Sequence, residues 1–143
     1  MKDVIEYNDG YRLFYIMGKA IKREADLQVI YKLTWYTTEY DVNREVNNGR
    51  GPVDYAVSKG SKDKTIVEFK LASNTHLKRN LENQVAIYAK ANKTEHKLIV
   101  ILYFDRYELA SVKSILKELK LENEESIILI DARTDNKQSA SKV

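Results

Sequence analysis

Three short runs in which apolar and polar residues alternate, Tyr40–Val46, Val53–Ser58 and Thr65–Leu71, stand close together in the chain, parted by turn stretches that open with Asn47-Asn48-Gly49 and Lys59-Gly60-Ser61. Alternation at a period of two is what a half-buried strand requires, and connections this short join antiparallel neighbours. The chain is thereby committed to a three-strand meander, whose apolar face must be buried against other elements.

The segments that follow supply that cover. Leu77–Ala91 carries Leu77, Leu81, Val85, Tyr88 and Ala89 at helical spacing, and Lys97–Phe104 is almost continuously apolar, the pattern of a strand buried on both faces. Glu108–Leu119 is a second amphipathic helix with Leu109, Val112, Leu116 and Leu119 on one stripe, and Ser126–Ile130 is a last short strand. Upstream, Ala20, Ile21, Leu27, Ile30, Tyr31, Thr34 and Trp35 predict an amphipathic helix over Lys19–Tyr36. Gly18 argues against extending it back through Met17 and Leu13, since glycine costs about 1 kcal/mol inside a helix. The turn signal Asn8-Asp9-Gly10 places the start of ordered structure near Tyr11, and the polar stretch Thr134–Val143 is expected to be a disordered tail. One domain over residues 1–133 results, in the order helix, three strands, helix, strand, helix, strand. Its class is α/β, a mixed sheet flanked by helices. Open sheet edges leave room for self-association as a homodimer or within a larger assembly.

Composition narrows the chemistry. Among 143 residues there is no cysteine, which excludes disulfides, thiolate metal sites and cysteine nucleophiles, and His76 and His96 are too few for a histidine-rich metal site. Twenty-four Lys and Arg against 21 Asp and Glu give a net charge of +3, a mild bias compatible with nucleic-acid binding. No signal-peptide pattern opens the sequence and no apolar run approaches a membrane span, so a cytoplasmic protein with no membrane partner is expected.

In Thr65–Leu71 the residues Val67, Phe69 and Leu71 share one face while Glu68 and Lys70 share the other. Asp54 precedes Glu68 by fourteen residues with a turn between them, so a hairpin brings the two carboxylates together on neighbouring strands. Paired oxygen ligands suit Mg²⁺ or Mn²⁺, and the ammonium of Lys70 beside them is placed to stabilise charge developing on a phosphodiester. Each piece also has an ordinary reading. Glu-x-Lys is commonly an exposed strand-face ion pair, Asp54 after Gly51-Pro52 is commonly a turn residue, and Gln84 with Tyr88 one helical turn away fits a core tyrosine with a polar rim.

Taken in order, Gly49-Arg50-Gly51-Pro52-Val53-Asp54, Glu68-Phe69-Lys70 and Gln84-x-x-x-Tyr88 resemble the PD-(D/E)xK nuclease superfamily, the restriction-endonuclease-like fold. The Gln/Tyr pair is similar to the motif of the RecB and lambda-exonuclease branch. The resemblance covers roughly Ala20–Phe104, and Pro52-Val53-Asp54 departs mildly from a strict Pro-Asp pair. It implies a mixed sheet flanked by helices in the order α-β-β-β-α-β-α-β, and it makes Asp54, Glu68, Lys70, Gln84 and Tyr88 the catalytic set. The metal site it implies comprises Asp54, Glu68 and Phe69, with Glu24 of the first helix as a further carboxylate that no motif fixes.

Arg50, Asn74, Lys78 and Arg79 form a candidate rim for binding substrate, with His76 beside them. Glu45, next to Arg44, is a candidate carboxylate for the metal or for support behind its ligands, an edge-strand ion pair being its alternative. The sequence therefore points to a Mg²⁺-dependent or Mn²⁺-dependent nuclease acting on DNA, with phosphate contacts supplying affinity, and to the nuclease module of a larger defence or repair system. Two rivals keep the same fold: a non-catalytic nucleic-acid-binding or assembly module, and a nuclease directed at RNA.

Overall fold

The computed structural model describes residues 1–34, 41–47, 52–58, 64–88 and 95–137. The chain opens with helix α1 (Lys2–Tyr7), a 3₁₀ turn at Gly10–Phe14, and a two-residue hairpin of β1 (Tyr15–Ile16) and β2 (Lys19–Ala20). Helix α2 (Glu24–Thr34) leads into β3 (Asp41–Asn47), β4 (Pro52–Ser58) and β5 (Lys64–Leu71). Then come α3 (Leu77–Tyr88), β6 (Glu95–Tyr103), α4 (Arg106–Glu118) and β7 (Ile127–Asp131). The main sheet has the order β3-β4-β5-β6-β7, antiparallel through the meander and parallel from β5 onward. The mixed α/β class and the order of the elements from α2 onward follow the sequence pattern.

The two faces of this sheet are covered by different elements. Val67, Phe69 and Leu71 of β5 join Tyr55 and Val57 of β4 and Val100 and Leu102 of β6 in one core, closed by Leu27 and Tyr31 of α2 and by Ile5 and Phe14 of the N-terminal segment. Ile99 and Ile101 face the other way, under Leu77 and Leu81 of α3 and Val112 and Leu116 of α4. Strand β6 is thus buried on both faces, as its unbroken apolar run requires. Helix α4 starts where Asp105 accepts the Glu108 N–H at 2.7 Å while the Glu108 carboxylate accepts the Phe104 N–H at 2.6 Å, a reciprocal cap.

The N-terminal end differs from expectation in two places. Ordered structure begins at α1, ahead of Tyr11, because Ile5 is buried in the first core and Gly10 lets the chain turn against the helix: a Cβ at Gly10 would stand 2.7 Å from the Val4 carbonyl oxygen. Helix α2 begins at Glu24, after Lys19, because Met17 and Gly18 both take positive φ (51° and 77°) and close a hairpin where the apolar spacing imitates a helix.

The C-terminal end is tied down past residue 133. Asp131 binds the Arg133 guanidinium at 2.8 Å and the Asn136 amide at 2.9 Å, and Lys137 donates to the carbonyls of Glu6 (3.0 Å) and Asp131 (3.1 Å). Residues 138–143, the rest of the expected tail, lie outside the described residues. Helix α1 lies along the outer edge of β7: Lys2 donates to the Leu129 carbonyl (2.7 Å) and Glu6 accepts the Asp131 N–H (2.9 Å). That edge is therefore covered rather than open to another chain. No helix among the described residues is long and apolar enough to cross a membrane.

Burial would raise the Asp131 carboxyl, but hydrogen bonds from Arg133 and the charge of Lys137 outweigh it and hold the group at about 2. Its affinity for a proton is thus weaker in the fold than in the unfolded chain, where about 3.9 is normal. The stability it contributes is present above about pH 4 and is lost as pH falls toward 2. Urea titrations should show Asp131→Asn less stable than the parent by about 1 kcal/mol at neutral pH, allowing for solvent screening. The gap should close between pH 4 and pH 2; a constant gap would mean that the carboxylate charge does not hold the clasp.

Candidate active site

Three strands and two helices meet where the β4–β5 ladder ends. The last paired residues are Tyr55 and Val67, and at the next position Asp54 replaces backbone pairing with its side chain: Oδ2 accepts the Phe69 N–H at 2.6 Å and Oδ1 accepts the Gln28 amide of α2 at 2.6 Å. One step further along β5, the Leu71 N–H is accepted by Oε1 of Glu24, the first residue of α2, at 3.3 Å. Phe69 and Leu71 are two apart, so their N–H groups point to the same strand edge, and the two carboxylates stand along it side by side. Gln28 lies one helical turn beyond Glu24, and its own carbonyl accepts the Tyr55 hydroxyl at 2.5 Å.

Glu68 and Lys70 project from the opposite face to the Phe69 core. Glu68 is only 8% exposed, and a carboxylate buried to that degree needs compensating charge. Lys70 lies 3.6 Å from one of its oxygens, and Lys97 of β6 forms an ion pair with the other. In the parallel register Glu68 is opposite Ile99 and Ile66 is opposite Lys97, which puts Lys97 on the Glu68 face one step back along the sheet.

The fields of these groups overlap at Asp54. Burial raises its carboxyl above the usual range, the Phe69 N–H and the Lys70 charge pull it down, and the charges of Glu68 and Glu24 push it up again. Lys97 is held below the usual lysine range by burial, against the upward pull of Glu68, while Lys70 adds to the lowering. Among the described residues three carboxylates, Glu24, Asp54 and Glu68, are thus balanced by two ammonium groups, Lys70 and Lys97, which leaves this described set with surplus negative charge.

Helix α3 covers the face from which Glu68 projects. Leu77 and Leu81 are buried there, and Gln84 continues their stripe. Its Oε1 is buried and has no hydrogen-bond partner among the described residues, unusual for a side-chain amide oxygen and a mark of unmet acceptor capacity. The side chains of Tyr88 and Glu45, and the whole of Arg50, lie outside the described residues.

Phe69 contributes its N–H to Asp54, and its ring is fully buried in the first core. Asn74 spends both ends of its amide within the protein, donating to Glu24 at 2.8 Å and accepting the His76 N–H at 2.8 Å; it orients Glu24 rather than forming part of an open rim. Lys78 pairs with Glu118 of α4 at 2.5 Å and braces one helix against the next. Arg79 and His76 are exposed. Among the described residues, no group of three His, Cys, Asp or Glu side chains is gathered closely enough to hold a metal ion as placed. The carboxylate oxygens are instead directed at protein donors.

Sequence reasoning passed over Lys97 and Gln28. The signal for Lys97 was there: one lysine at the head of a strand apolar enough to be buried on both faces implies a buried counter-ion. A cleft of about 560 Å³ elsewhere, lined by Glu6, Tyr7, Asp9, Tyr11 and the Asp131 clasp, shares no residue with this cluster.

The family model described as a domain of unknown function, DUF8371, matches residues 1–106. The chain belongs to that family. The matched span holds the whole DUF8371 cluster, Glu24, Gln28, Asp54, Glu68, Lys70, Gln84 and Lys97, and ends as α4 begins. No curated protein and no solved structure matches the chain.

Two variants test the electrostatics of this DUF8371 site. Because the folded state holds the Asp54 proton more tightly than the unfolded chain does, ionised Asp54 costs the fold stability at neutral pH, a cost relieved by acid or by removing the charge. Asp54→Asn should raise the melting temperature at neutral pH by on the order of a few degrees in metal-free buffer. A lowered value would mean that its hydrogen bonds outweigh its charge. Lys97→Met should destabilise the fold by about 3 kcal/mol, because it leaves Glu68 buried with one counter-charge fewer. The double variant with Glu68→Gln should recover most of that loss in the same urea titration; strict additivity would show that the pair is not coupled.

Proposed function

We propose that this DUF8371 chain is a metal-dependent nuclease that hydrolyses DNA phosphodiester bonds, with the restriction-endonuclease-like core that its motifs resemble. The observation that carries this reading is the convergence of Asp54 and Glu24 on one edge of β5, with Glu68 and Lys70 close enough for their charges to act on Asp54.

The donor chemistry fits a hard divalent cation. Among the described residues the carboxylates of Glu24, Asp54 and Glu68 outnumber the nearby ammonium groups, and Gln84 holds a buried oxygen with unused acceptor capacity. Asp54 and Glu68 would hold the ion, with Glu24 as the further carboxylate. When bound, Mg²⁺ or Mn²⁺ supplies Lewis-acid polarisation of the phosphodiester.

The chain's own residues do the rest. Gln28 and the Phe69 N–H fix the two oxygens of Asp54, and Asn74 with the Leu71 N–H fixes Glu24, so the carboxylates stand oriented before substrate arrives. Lys70 holds a positive charge beside Glu68, where it can stabilise the negative charge that builds on the phosphate oxygens in the transition state. Lys97 occupies Glu68 Oε1, so to hold a cation through that oxygen Glu68 would have to give up its ammonium partner. That ion pair also suits a module that binds nucleic acid without cutting it, and metal titration separates the two.

Plasmid, linear duplex, single-stranded DNA and RNA incubated with Mg²⁺, Mn²⁺ or EDTA test the proposal directly. Cleavage of DNA with either metal, abolished by EDTA and by Asp54→Ala or Glu68→Ala, is the expected outcome. Lys70→Ala should bind Mn²⁺ as the parent does yet cut about 10²-fold or more slowly, the scale of losing a preorganised charge in the transition state. If no substrate is cut with either metal, the reading is wrong, and cleavage confined to RNA would reassign the substrate.

A further inference from the structure

We propose that the β1–β2 hairpin is a nucleic-acid contact in which Met17 and Ile16 press against bases or sugars while neighbouring cations hold the phosphates; this rests on the nuclease reading above.

The turn of this hairpin is Met17-Gly18, and both residues take positive φ, 51° and 77°. A two-residue turn of that kind favours Asn, Asp or Gly at its first position, and a methionine there is strained. Packing does not repay the strain: Met17 is 98% exposed, and nothing lies within 4 Å of where a Gly18 Cβ would stand. Ile16 is 61% exposed and Leu13 is 64% exposed, so the tip and the 3₁₀ turn before it each present apolar side chains that the fold leaves uncovered. A costly conformation that exposes a large apolar side chain points to a contact made outside the fold.

The base of the hairpin is fixed. The Tyr15 hydroxyl donates to the Ala132 carbonyl at 2.9 Å, the Tyr15 ring meets Phe104 edge-on at 5.6 Å, and the Ile21 N–H donates to the Phe14 carbonyl at 2.9 Å. The tip therefore projects from a rigid support.

Charge identifies the occupant. From Gly10 to Arg23 there is no acidic residue, and Arg12, Lys19, Lys22 and Arg23 are all exposed, Arg23 paired with Asp26 at 2.6 Å. An apolar tip ringed by cations matches a polyanion that presents apolar surface between its charges, as a nucleic-acid groove or an unstacked strand does. An anionic membrane surface offers the same signs, and position favours the nucleic acid. Glu24 follows Met17 by seven residues, a reach of at most about 25 Å, so the tip and the carboxylates fall within about one helical turn of duplex.

The test uses the full chain in EDTA, so that bound DNA stays intact, with fluorescence anisotropy of labelled duplex and single-stranded DNA. Met17→Asn suits the turn and should keep or raise the melting temperature, yet together with Ile16→Thr it should weaken DNA binding about tenfold. Lys19→Gln with Lys22→Gln should lower the salt slope of binding by about two. Unchanged affinity and slope in these folded variants would overturn the proposal and leave the nuclease reading intact. Failure of the otherwise unsubstituted chain to bind DNA at all would overturn both. Vesicles of phosphatidylserine and phosphatidylcholine form the remaining arm: vesicle binding lost in the variants, with DNA binding unaltered, would give the hairpin to a membrane surface and overturn the proposal.

Discussion

The N–H groups of Phe69 and Leu71 face a strand edge where the β4 ladder has stopped, and the candidate site is organised by what accepts them. A buried backbone donor left without a partner costs about 1–3 kcal/mol, so something must take the place of the missing strand. Here the acceptors are carboxylates, Asp54 from β4 and Glu24 from α2. The backbone requirement thereby aligns two acidic side chains, and it pins the N-terminus of α2 to the end of β5. The helix is held from the other side by aromatic packing: the Tyr31 and Phe69 rings are 4.1 Å apart by centroid, and Tyr55 lies 5.9 Å from each of them. Strand β5 thus serves three purposes. One face builds the core, its edge orients Asp54 and Glu24, and its other face carries Glu68 and Lys70.

This arrangement does not maximise stability. A buried ion cluster is weak evidence for a stabilising role, because well-packed apolar residues of the same volume are often as good or better. Asp54 carries that cost visibly, with its carboxyl raised by burial and by the two neighbouring carboxylates. The Asp131 clasp makes the useful contrast. There, too, a carboxylate is withdrawn from water, but Arg133, Asn136 and Lys137 supply it with donors and positive charge, and its proton affinity falls. Two carboxylates of one chain are shifted in opposite directions, one in a compensated structural tie and the other in a cluster whose described members carry negative charge to spare.

Most of the sheet was legible because its signals are local. The alternation in Val53–Ser58 and Thr65–Leu71, the unbroken apolar run of β6 and the Leu77/Leu81 stripe each depend on periodicity within one element. What escaped depends on contacts between distant segments. Nothing local in Lys2–Tyr7 foretells a helix whose Ile5 joins the core and whose Glu6 meets β7 from 125 residues away. Ala20 and Ile21 carry helical spacing, yet positive φ at Met17 and Gly18 turns that stretch into a hairpin. Among the candidate residues, Asp54, Glu68 and Lys70 were singled out by motif, and Glu24 only as a first-helix carboxylate that the resemblance implies and no motif fixes. Asn74, a candidate for the substrate rim, shapes the turn into α3 through the His76 N–H and orients Glu24, and the Lys97–Glu68 pair depends on a parallel register that no short motif encodes.

The DUF8371 span ends at residue 106, so each candidate side chain lies within it while α4 and β7 lie beyond it. Those later elements give no group to the carboxylate cluster, yet its geometry depends on them. Val112 and Leu116 of α4 cover Ile99 and Ile101, Glu118 braces Lys78 of α3, and β7 pairs with β6 from Ile99 to Tyr103. Lys97 reaches Glu68 only while β6 keeps its register against β5, and β6 is held in that register from both sides. Helix α1 and the Asp131 clasp then cover the outer edge of β7, which would otherwise be open to pairing. The chemistry and the support that positions it are therefore drawn from different parts of the chain, and the segment after residue 106 acts on the site through the register of β6 and the packing of α3.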